Sequence, residues 1–143
     1  MELDTDTAIA LLAGGVMFLW ALVLGVQKYA QIRASPDGHA HPYTDIAHRA
    51  ALLYSFAFVL IAAMVAFGAW SATVNVVCVA ILAAYFVQAV AGYMVHGLRK
   101  DTVNQFTPPV PGWMRLGMVT LIVAEIGAFA VLLAGFVSLQ FLA

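Results

Sequence analysis

The residues of this chain that can do chemistry are few, and most sit at the edges of long apolar stretches. His48 opens one such stretch and His96 closes another. An imidazole can hold a transition metal through a ring nitrogen or move a proton near neutral pH. His39 and His41 form an H-x-H pair with Asp37 and Asp45 nearby, a set open to two readings: a transition-metal site, or solvated loop side chains. Glu125 is the only acid deep inside an apolar stretch. A carboxyl buried in hydrocarbon is costly, so Glu125 must face protein, be paired or be protonated, with Tyr54, Tyr85 or Gln88 as partners.

Spacing groups several of these residues. Tyr85, Gln88, Gly92 and His96 recur at steps of three and four, a stripe about 80° wide at about 100° per residue. Such a stripe faces protein, either as ordinary interhelical hydrogen bonding or as the wall of a site. His48, Ser55, Val59 and Ala62 share a second helical face, flanked by Ala47, Ala50, Ala51 and Ala57. Small side chains there admit a closely packed helix or a flat ligand, and an imidazole above them is a workable cradle for a planar macrocycle. Asp45 is placed either to cap the helix that His48 opens or to accept a hydrogen bond from an imidazole.

The elements that carry these residues follow from composition. Of 143 residues, 64 % are hydrophobic and 9 % charged, too little polar surface for a water-soluble globule. Apolar stretches at 8–28, 47–70, 74–97 and 114–142 are each long enough to cross about 30 Å of hydrocarbon at about 1.5 Å per residue. Runs such as 8–12 and 128–133 are apolar on every face, which excludes the alternation of a membrane barrel. Helices satisfy their own amides in lipid, so the expected fold is all-α: a single integral-membrane domain of four helices. Helices two and three, joined by a tight turn at residues 70–73, are antiparallel neighbours. That puts His48 and His96 at one depth, where they can approach each other.

Lys28, Arg33, Arg49, Arg99, Lys100 and Arg115 all flank the first and third connections. The positive-inside tendency makes that side cytoplasmic and both termini extracytoplasmic, in an inner membrane. The start, with Glu2, Asp4 and Asp6, lacks a signal peptide's positive region, so the first helix is expected to be retained. The 34–44 connection, with Pro36, Gly38 and Pro42, reads as a loop, as does 100–112 with Pro108, Pro109 and Pro111. Cys78, the only thiol, reads as a packing residue. A net charge of −1 and no basic cluster beyond Arg99-Lys100 exclude nucleic-acid binding. Glutathione transfer is disfavoured too, because only Arg49 and Arg115 lie near helix starts and could grip carboxylates.

The run Asp45-Ile-Ala-His48-Arg-Ala-Ala-Leu52-Leu-Tyr54, then Asn104-Gln105-Phe106 and Pro111-Gly112, is similar to the small membrane isomerases typified by styrene oxide isomerase and hydroxylaminobenzene mutase. Length and four-helix layout match over nearly the whole chain. The resemblance implies a homotrimer holding haem b between subunits. His48 would be the axial ligand, and Ser55 and Asn104 would be further cofactor contacts. It implies a ferric Lewis acid that isomerises small hydrophobic substrates such as epoxides, with Tyr54, Tyr93 and Gln88 orienting the substrate. One departure is Leu53-Tyr54-Ser55 where the family has Leu-Asn-Gly, a phenol in place of an amide. His96 opens an alternative: bis-histidine ligation by His48 and His96 would give a non-catalytic membrane cytochrome or haem sensor. A cofactor-free accessory membrane subunit is the third reading.

Overall fold

The computed structural model describes residues 2–143 as four helices: α1 (Thr5–Ala34), α2 (Pro42–Ala66), α3 (Ala72–Arg99) and α4 (Gly112–Phe141). Each is long and apolar enough to cross a membrane. The expected all-α, multi-pass architecture is therefore present. Boundaries differ from the sequence reading at both ends of the bundle.

α1 continues to Ala34 instead of stopping near residue 28. Its 30 residues span about 45 Å, more than the hydrocarbon needs, so Gln31 and Arg33 extend into the loop end. α2 begins five residues early because Pro42 supplies a preset φ at the first helical position and His41 caps it, accepting the Tyr43 N–H at Nδ1 over 3.3 Å. The cap is thus His41, not Asp45. α2 also stops at Ala66 instead of 70. Beyond it, hydrogen bonds go to α4: Ala69 N–H donates to the Gly135 carbonyl at 3.1 Å and the Trp70 indole to that of Val131 at 2.6 Å.

Buried positions follow the seams that neighbouring helices require. On α1 they are Ala10, Gly14, Met17, Ala21 and Leu24, steps of four and three. α2 buries Thr44, Ala47, Ala51, Ser55, Phe58 and Val65. A Cβ on Gly14 would stand 3.0 Å from the Phe58 Cβ and 3.3 Å from the Ser55 carbonyl, so glycine permits close approach of α1 and α2. Phe58, Ile61, Leu82 and Leu132 complete the core.

α4 is held differently. It meets α3 and α2 but not α1, and buries only Ala128, Leu132 and Gly135, all in its second half. That half is fastened by Trp70, which leaves no room for a side chain on Gly135, and by the Gln140 amide donating to the Phe67 carbonyl at 3.0 Å. The first half of α4 stands off from α3.

Candidate functional site

At the loop end three crossings fix the helix termini. Gly97 of α3 lies so close to Thr44 of α2 that any Cβ would overlap it. Gln31 of α1 donates to the Gly97 carbonyl and accepts the His41 N–H, both at 3.0 Å. Tyr43, buried beside them, stacks on Tyr93 with ring centroids 5.9 Å apart and lies 5.3 Å from the His96 ring. Its hydroxyl accepts the Gln105 N–H at 2.9 Å, which ties the α3–α4 connection down over the helix ends.

Where α4 stands off, a cleft of about 340 Å³ opens between the last turns of α3 and the first turns of α4. Such a volume suits a small organic molecule. Gln88, Gly92, Tyr93 and His96 line it from α3, Tyr54 from α2, and Gln105 and Phe106 from the connection. Trp113, Met114, Gly117, Met118 and Leu121 form the opposite wall. Gly92 and Gly117, on facing helices, leave room in it that side chains would take up. No Lys, Arg, Asp or Glu lines it, so its chemistry is that of neutral donors and acceptors against aromatic faces.

His96 is the oriented group of the cleft. Its Nδ1 lies 2.8 Å from the Asp101 carboxylate. A carboxylate there takes the Nδ1–H and leaves the Nε2 lone pair free, the arrangement of ring-oriented metal ligands and of general bases. The same hydrogen bond holds the Asp101 carboxyl below the usual carboxylate range. The stripe read from sequence is thus realised in Gln88, Gly92 and His96, whereas Tyr85 lies off the lining.

His48 is elsewhere. Its ring packs on α1, where a Cβ on Gly25 would lie 3.2 Å from Nε2, and its Nδ1 is buried with no hydrogen-bond partner. Tyr54, Tyr93, Gln88 and His96 are brought together; His48 is not with them. Of the two imidazoles expected at one depth, the His48 ring lies against α1 and the His96 ring lines the α3–α4 cleft. Ser55 shares the His48 face, but its hydroxyl donates to the Leu52 carbonyl at 2.6 Å and is spent on its own helix. Asn104 folds the connection, its Oδ1 accepting the Phe106 N–H at 3.0 Å, and does not line the cleft. The small residues Ala47 and Ala51 are wholly buried inside the bundle.

The loop histidines separate likewise. His41 is the α2 cap, and His39 is 83 % exposed beside Asp37. No group of three or more His, Cys, Asp or Glu positioned for a metal occurs among the described residues. Asp45 pairs with Lys28 at 2.5 Å and Arg49 at 3.1 Å, linking α1 to α2 one turn from His48. Sequence reasoning missed Tyr43, Gln31 and, at the far end, Asp6 and Asn75, a buried pair joined at 2.8 Å. The only signal for the last two was a polar side chain inside each helix's first turn. Comparison with family models, curated proteins and solved structures returns no match.

Proposed function

We infer that this chain is a haem b-binding membrane isomerase of small hydrophobic substrates such as epoxides, with the α3–α4 cleft as its substrate site. The observation that carries this inference is the cleft itself: apolar and aromatic walls, no charge, and the neutral polar groups Tyr54, Tyr93, Gln88 and His96 in its lining. An anionic substrate would need cations there, and a hydrophilic one more donors.

His48 would hold the haem. A buried imidazole nitrogen without a hydrogen-bond partner among the described residues fits a ligand supplied from outside the chain. When bound, ferric haem supplies a Lewis acid toward an ether oxygen. The rest falls to side chains of the cleft. Tyr54 and Tyr93 hydroxyls and the Gln88 amide donate to a substrate oxygen, and the faces of Trp113, Phe106 and Tyr93 stabilise positive charge developing on a benzylic carbon. Apolar walls exclude water, so a ring-opened substrate rearranges to a carbonyl instead of being captured as a diol. Atoms balance without oxidant or reductant: a C–O bond breaks, hydrogen moves to the neighbouring carbon, and C=O forms.

His48 and the cleft lie at different interfaces of one protomer, so cofactor and substrate share a site only across subunits. A homotrimer, as the sequence resemblance implies, is the assembly this function requires. The loop end carries every Lys and Arg and is the cytoplasmic side of an inner membrane, with both termini outside.

Incubating purified protein with an aryl epoxide, and identifying products by gas chromatography, tests the assignment. Wild type is expected to give aldehyde or ketone, Tyr93→Phe about tenfold less or lower, in line with loss of one transition-state donor. Diol as the sole product, or no product from haem-loaded protein, would overturn it.

A further inference from the structure

A second cavity lies deeper in the membrane. It is a groove of about 340 Å³ between α2, α3 and α4, lined by Ala57, Leu60, Ile61, Leu82, Phe86 and Phe129, with Glu125 its only polar residue. The stacked pair Tyr54–Phe86, centroids 4.0 Å apart and planes 7° apart, divides it from the cleft above: Tyr54 faces one cavity and Phe86 the other. Its mouth opens between Leu60, 51 % exposed, and Ile126, 67 % exposed, on the outer surface of the helix bundle.

Glu125 lies about 20 Å along the roughly 45 Å length of α4, near mid-membrane. Its Oε1 is buried with no hydrogen-bond partner. The chain offers it no cation. All six Lys and Arg sit at the loop end, and Arg115, on the same helix, is about 15 Å away along the axis. An intramembrane carboxyl that finds no partner in its own bundle marks a ligand or proton path, since a polar group left alone in hydrocarbon is otherwise lost from a sequence at no cost to packing. Here the surroundings choose between the two. A proton path needs further polar groups leading onward, and no other polar side chain lines this groove. A ligand needs volume, which is present, and the two aromatic residues Phe86 and Phe129 beside the carboxylate favour a positively charged group.

We propose that the Glu125 groove is a ligand site distinct from the α3–α4 cleft, and that it takes a lipophilic ammonium entering sideways from the bilayer. The ammonium N–H donates to the free carboxylate oxygen and the apolar body fills the groove. Charge neutralisation inside hydrocarbon supplies the selectivity: a neutral molecule of the same shape leaves Oε1 without a donor of matching strength.

Isothermal titration of 4-butylbenzylammonium into the protein in zwitterionic lipid nanodiscs tests the site. Saturable binding at one site per protomer is expected, weakened about tenfold or more in Glu125→Gln, as for loss of a charge-assisted hydrogen bond. The neutral 4-butylbenzyl alcohol is expected to partition without saturation. Leu60→Trp narrows the mouth while keeping the carboxyl, and is expected to abolish binding; it decides the matter where Glu125→Gln fails to fold. Non-saturable uptake by wild type, affinity unchanged within about twofold in a folded Glu125→Gln, or full binding by Leu60→Trp would overturn the proposal.

Discussion

Gly97 and Gly92 lie five residues apart on α3 and make opposite demands on a side chain. A Cβ on Gly97 overlaps Thr44, whereas one on Gly92 meets nothing within 4 Å. Gly97→Ala is expected to destabilise the protein by about 1–3 kcal/mol through overpacking, and Gly92→Ala to leave stability unchanged while narrowing the cleft. Thermal unfolding in detergent, followed by size-exclusion chromatography, checks both. The His96–Asp101 bond supplies a pH test. Asp101 has a depressed pKa in the folded protein. Its contribution is therefore complete above the ordinary carboxylate range and lost as pH falls through the lower folded value. Wild type should lose its advantage over Asp101→Asn in that acidic interval, and salt should reduce the difference because the carboxylate is exposed. An equal gap at all pH values would remove the bond as its source.

Among elements, α4 is set apart by being fastened at one end only. Trp70→Ala removes the indole hydrogen bond to the Val131 carbonyl and the ring that fills the space over Gly135, and is expected to cost about 1–3 kcal/mol. Hydrogen exchange should then rise in the second half of α4 and stay unchanged in α1, which has no contact with it. The four helices were legible because their apolar length is a one-dimensional property. Their ends were not: beyond Ala66 the Ala69 N–H and the Trp70 indole find partners on α4, a tertiary event that hydropathy does not encode. The site was legible in part. Gln88, Gly92 and His96 share a face by periodicity alone, and the structure puts them on one wall. Tyr54 stands six residues from His48, about 120° round the helix, so the pair cannot share a face, and the structure sets them at different interfaces. Tyr43 escaped notice because its role depends on where the α3–α4 connection returns.

At the scale of the whole molecule, polarity is divided between two ends. The loop end carries the cations, the histidines and the cleft; the other carries the buried Asp6–Asn75 pair. A reporter fused after residue 143 should be active only outside the cytoplasm, and one placed in the 34–42 loop only inside. Haem ligation makes a spectroscopic prediction as well. On the isomerase reading the iron's second position is left to substrate, so His96→Ala should leave haem ligation intact, and a change from six- to five-coordinate iron in that variant would support the cytochrome alternative. The most direct measurement is the visible absorption spectrum of detergent-purified wild type and His48→Ala, both expressed with added hemin. A Soret band in the wild type that vanishes in folded His48→Ala is the predicted result; a colourless wild type, or a band of equal strength in the variant, would contradict it.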